Sequence, residues 1–120
     1  MTCVPPLRLY VAATFWQRLR GLHAWPGVPW HAGLWLFPCK AIHTFGLAYA
    51  IDVLFIDQQG GVLECIAALA PGRFAWNWNA VGVVELPPGY CAAYPAYAAA
   101  VRRALDTPGR GRPSSIFTST

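Results

Sequence analysis

Apolar and polar positions alternate through much of the chain. Leu7-Arg8-Leu9-Tyr10-Val11-Ala12 predicts a first strand, entered through the stiff Pro5-Pro6 pair. Thr14 then has the character of an N-cap. Phe15, Leu19 and Leu22 recur at helical spacing with Gln17, Arg18 and Arg20 facing outward, which predicts a short helix ending at Gly21. From His23 to Gly33 the prolines, glycines, histidines and tryptophans break any period, so a long irregular loop is expected. Leu34-Trp35-Leu36-Phe37 reads as a short buried strand stopped by Pro38, and Ala41 to Leu47 as a second extended segment. Ile51 to Asp57, a Gln58-Gln59-Gly60-Gly61 turn and Val62 to Ile66 form the clearest hairpin. Strand geometry puts Ile51, Val53 and Phe55 on one face and Asp52, Leu54 and Ile56 on the other.

Pro71-Gly72 turns the chain into a short aromatic strand, Phe74 to Trp78, and Val81 to Leu86 is a further strand closed by Pro87-Pro88-Gly89. Beyond it the period changes to that of a helix, with Tyr94, Tyr97, Val101 and Leu105 on one stripe. Strands outnumber helices and no βαβ alternation is evident, so the expected fold is mainly β (α+β). A small β-sandwich or a partly open β-barrel fits, with one short N-terminal and one C-terminal helix. Residues 1–108 are expected to form one domain and 109–120 a disordered tail.

Composition sharpens this picture. With 120 residues there is room for one core, yet 56% of the residues are apolar and six are Trp. A domain this small cannot hide so many rings, which predicts an exposed aromatic patch or a Trp-rich core. No apolar run is long enough to span a membrane, and the start lacks a secretory pattern, so a cytoplasmic protein is expected. The net charge of +4 owes much to arginines near the C-terminus, with no basic run interleaved with aromatics, and nucleic acid is not an expected partner. The four cysteines lie far apart, without a CxxC pair, and are expected to be thiols acting as small hydrophobes.

The order of motifs resembles the family catalogued as domain of unknown function 192, over about Thr14 to Gly89. The resemblance rests on Thr14, Arg18 and Gly21-Leu22, on Gly33-Leu34-Trp35-Leu36-Phe37, and on Ile42-His43-Thr44. It continues through Ile51 to Asp57 with Gly61-Val62, Pro71, and Val84-Glu85-Leu86-Pro87-Pro88-Gly89. Many members carry Met-Lys-Asn-Thr where this chain has Ala41-Ile42-His43-Thr44, and Met where it has His23, so the chain is similar to a His-Thr variant. The resemblance implies a compact, mainly β fold and no particular activity.

Candidate chemistry centres on Cys39, Lys40, His43 and Thr44. If Ala41 to Leu47 pairs with Ile51 to Asp57, His43 and Asp52 approach one another and the carboxylate can orient the imidazole as a general base. This makes them the candidate catalytic pair of a small hydrolase or lyase, beside Lys40 or Thr44. The competing expectation is that His43 and Thr44 satisfy backbone groups at a sheet edge. A Cys39–His43 nucleophile is disfavoured by the reach of an extended strand, and a zinc site from His23, His31, Cys39 and His43 lacks compact spacing. No metal and no cofactor are expected. Arg18 and Arg20 can pair with Asp52 or Glu85 to dock the first helix.

Phe74, Trp76 and Trp78 share one strand face beside Arg73, a ladder able to stack a planar or sugar ligand if it faces outward. Lys40, Thr44, Arg18, Glu85, Trp35, Trp76 and Trp78 are therefore the candidate ligand-binding residues. The leading expectation is a non-catalytic module binding a small ligand or a protein through exposed aromatics, as a monomer or weak homodimer.

Overall fold

The computed structural model describes residues 7–11, 32–47 and 49–106. The expected first helix, Arg18, Arg20, Cys3, His23, Trp25, Trp30, His31 and the expected tail all lie outside the described residues. Among the described residues there are seven strands: β1 Arg8–Val11, β2 Ala32–Leu36, β3 Ala41–His43, β4 Ile51–Ile56, β5 Val62–Leu69, β6 Phe74–Trp76 and β7 Gly82–Leu86. Two helices follow, α1 Tyr90–Ala93 and α2 Tyr97–Asp106.

Five strands form one sheet in the order β1-β2-β7-β4-β5, and β3 pairs with β6 in a separate two-stranded sheet. Among the described residues the large sheet ends at β1 and β5 and does not close, so the sandwich-like arrangement holds and the barrel does not. Two local expectations change. Strand β2, which runs parallel to β1, begins at Ala32 rather than at Leu34. Helical structure at the C-terminal end is split into α1 and α2.

Alternation along the strands builds two cores, one on each face of the large sheet. Leu34, Leu36, Ile51, Val53, Phe55 and Val83 pack with Ile42 and Ala75 of the small sheet. Leu9, Leu54, Ile56, Val84 and Leu86 pack on the other face with Tyr90, Cys91, Ala100, Val101 and Ala104 of the helices. The molecule is thus layered, with the small sheet on one side of the large sheet and the helices on the other. Strand β4 lies between β7 and β5, and all six of its residues are buried. Its near-continuous apolar run reflects burial on both faces.

Close strand approach explains two glycines of β2 and β7. A Cβ on Gly33 would sit 2.6 Å from the Glu85 carbonyl oxygen, and one on Gly82 would sit 2.3 Å from the Trp35 ring. The first obstacle is backbone and cannot rotate away. Gly33→Ala is expected to cost about 1–3 kcal/mol through overpacking, read as a lower urea midpoint with an unchanged slope.

Candidate functional site

The small sheet carries the candidate site. Its register places Ala41 opposite Trp76, Ile42 opposite Ala75 and His43 opposite Phe74. With a period of two, Ile42 and Ala75 turn into the core while His43, Phe74 and Trp76 lie on the solvent side. Phe74 is 58% exposed, Trp76 54% and Trp78, just beyond the strand, 74%. The Phe74 and Trp76 rings meet edge-on at 6.0 Å between centroids, and Phe45 stacks on His43 at 5.1 Å. The Phe45 amide donates to His43 Nδ1 at 3.3 Å, so Nδ1 accepts and Nε2 is the protonated nitrogen of the neutral ring.

Trp78 is exposed but its backbone is anchored. The Lys40 ammonium donates to the carbonyls of Trp78 at 3.0 Å and Ala80 at 2.6 Å. Asn77 closes the same turn, accepting from the Asn79 amide at 2.9 Å while its own amide donates to the Lys40 carbonyl at 2.8 Å. The Asn77 side chain donates to Glu64 on β5 at 3.1 Å. A turn held at this many points presents its indole with little left to order on binding. Lys40 also borders a shallow groove of about 450 Å³ lined by Phe37, Pro38, Cys39 and Val81.

Thr44 is fully buried and joins two loops. Its hydroxyl donates to the Ala70 carbonyl at 2.6 Å and accepts from the Arg73 amide at 2.8 Å. Arg73 leads directly into β6, so Thr44 fixes where the aromatic strand starts. Thr44→Val keeps the volume and removes both bonds. A loss of about 1–3 kcal/mol is expected by chemical unfolding, with recovery in Thr44→Ser.

The supposed pairing of the His43 and Asp52 segments is not formed, because β3 pairs with β6 and β4 with β5 and β7. Asp52 shares its face with Leu54 and Ile56, toward the helices, whereas His43 lies on the small sheet across the large one. The structure therefore does not bring the two together. Asp52 is instead fully buried and accepts three backbone amides, from Ala68 at 2.8 Å, Gly89 at 3.2 Å and Cys91 at 2.9 Å. Two residues of β5, Ala67 and Ala68, oppose Asp52 between the Ile51–Leu69 and Val53–Ile66 pairs, making a bulge with Ala68 at φ 52°. Asp52 supplies the acceptor that this bulge and the start of α1 both lack, since Gly89 has no capping side chain.

Glu85 is also buried, on the face toward the small sheet, where its charge helps burial raise the Tyr49 phenol above its usual range, burial being the larger cause. Trp35 is half-buried, packs with the helix-side core over Gly82 and stacks on Phe37 at 5.7 Å. Of the candidate residues, then, His43 and Trp76 share the outer face with Phe74, and Trp78 follows on the exposed turn that Lys40 anchors. Thr44 anchors the edge of that face, while Asp52, Glu85 and Trp35 belong to the framework. The sequence reading missed Phe45 and placed Phe37 in a buried strand, though it is 48% exposed. Gly46 beside Phe45, at φ 85°, is the signal that this ring sits on a turn.

Fold and site together define an α+β domain, layered like a β-sandwich, with an aromatic outer sheet. The chain belongs to the DUF192 family of uncharacterized ACR proteins, whose model matches residues 3–96. A search of curated proteins finds no match. Among solved structures it is similar to a protein of unknown function from Novosphingobium aromaticivorans DSM 12444. That likeness has a TM-score of 0.65 at 17% identity, covering 72% of this chain and 67% of that one. It is also similar to a protein from Sinorhizobium meliloti 1021 described as a "putative transcription regulator", with a TM-score of 0.66 at 18% identity over 72% and 73% of the two chains. At such identities the likeness concerns the fold.

Proposed function

We propose that this protein is a non-catalytic binding module whose outer sheet stacks against the flat rings of a small ligand, sugar or planar. The observation that carries this reading is the exposure of Phe74, Trp76 and Trp78, each more than half open to solvent within five residues. Isolated exposed rings need no explanation, but two rings in contact on one strand face, followed by a third on an anchored turn, do. Stacking on such rings contributes about 1–3 kcal/mol per ligand ring. His43 adds a hydrogen-bond donor at the same surface.

Tryptophan fluorescence titrated with a β-linked glucose oligosaccharide, and separately with adenosine monophosphate, tests the proposal. A saturable change with one of them that disappears in Trp76→Ala supports it, and no saturable change with either contradicts it. Single-stranded DNA serves as the comparison, prompted by the description of the Sinorhizobium protein. Tight, salt-sensitive DNA binding without response to the other two probes would replace the small-ligand reading with a nucleic-acid one.

A further inference from the structure

Beneath the helices, on the side of the large sheet away from the aromatic surface, two cysteines share one core. Cys65 lies on β5 opposite Leu54, and Cys91 is the second residue of α1, with its amide bonded to Asp52. Both belong to the helix-side core and both flank Asp52: the Cys91 amide bonds its carboxylate, and Leu54, opposite Cys65, is the next residue along the same strand face. Neither cysteine is in a disulfide.

We propose that Cys65 and Cys91 are a dithiol modification site, oxidised by a low-molecular-weight disulfide to a reversible cross-link between β5 and α1. Access sets the order of events. Cys65 is half-buried, whereas Cys91 is 7% exposed, and burial, with Cys65 and Asp52 adding to it, holds its thiol protonated far above the usual range. Cys65, as thiolate, attacks one sulfur of the small disulfide, forming a mixed disulfide and expelling one small thiolate. Cys91 then gives up its proton and attacks the Cys65 sulfur, expelling the second small thiolate, which takes a proton. Two protein thiols are oxidised and one small disulfide is reduced to two thiols. The bond ties α1 to the strand whose bulge shares the Asp52 carboxylate, so it clamps both ends of the Asp52 network.

The test treats the full chain with oxidised glutathione, alkylates the remaining thiols and maps the unreduced peptides. The expected product is an intramolecular Cys65–Cys91 peptide pair, lighter by two hydrogens and restored by dithiothreitol, while Cys39 remains alkylatable. Cys91→Ser is expected to stop at the glutathione adduct on Cys65, and Cys65→Ser to leave Cys91 unmodified. Wild-type protein that stops at the Cys65 adduct, fails to react, or links Cys65 to any other cysteine overturns the proposal. Because the wild-type map decides alone, a variant that fails to fold does not shelter it. Amide exchange at Ala68 and Cys91 is the second readout. It is expected to slow about tenfold or more in the oxidised form, and an unchanged rate contradicts the clamp.

Discussion

Asp52→Ala is expected to lose about 3–4 kcal/mol of stability, because it leaves three backbone amides without their acceptor at a position closed to solvent. Small domains have only about 5–15 kcal/mol to lose, so the variant should unfold at a much lower urea concentration. Asp52→Asn separates charge and acceptor number from shape. An amide has one acceptor oxygen, which can serve Ala68 and Gly89, but its NH₂ group would face the Cys91 amide, donor against donor. Its loss should be about 2–3 kcal/mol. A general base would show the opposite pattern, with activity lost and stability kept. Unfolding free energies within about 0.5 kcal/mol of wild type in both variants, the range typical of surface changes, would contradict the structural role.

The aromatic surface should behave in the reverse way. Phe74→Ala and Trp76→Ala remove rings that are more than half exposed, so stability is expected to stay within about 0.5 kcal/mol of wild type. Affinity for the probe that wild type binds should fall about tenfold or more in each, as expected when one stacking partner worth about 1–3 kcal/mol is lost. Gly33→Ala serves as the opposite control, because it crowds Leu9 and Leu86 on the helix side of the large sheet and should leave the affinity of the folded fraction unchanged. Full affinity in Trp76→Ala would remove Trp76 from the binding surface.

The β4–β5 hairpin was legible because its apolar alternation, Gly60-Gly61 turn and β-propensity agree, and local agreement of that kind needs no tertiary information. The outward ladder of Phe74 and Trp76 was legible as one face, but which way the face pointed depended on β6 pairing with β3. That pairing joins segments about thirty residues apart in the chain, and no local pattern specifies it. The same limit undid the His43–Asp52 pair. Each residue was placed correctly on an extended segment, yet the segments pair with different neighbours and end in different layers.

Asp52 is the sharper lesson. Asp52 was expected to orient His43 or to pair with an arginine of the first helix. Its partners among the described residues are amides of the bulge at Ala68 and of the turn into α1, groups every sequence carries and none advertises. Family membership could be read from the ordered motifs, and several of those motifs have a framework role here: Gly33 admits the Glu85 carbonyl, Thr44 ties two loops, and Asp52 joins β4, β5 and α1.

Chemical-shift mapping of the isotopically labelled chain, titrated with whichever probe changes its fluorescence, tests the binding surface most directly. Resonances of His43 and Phe74 and the indole N–H signals of Trp76 and Trp78 are predicted to move together and saturate, with Trp35 unaffected. Movement confined to the groove at Phe37 to Lys40, or to α1 and α2, with those four residues unchanged, would contradict the account.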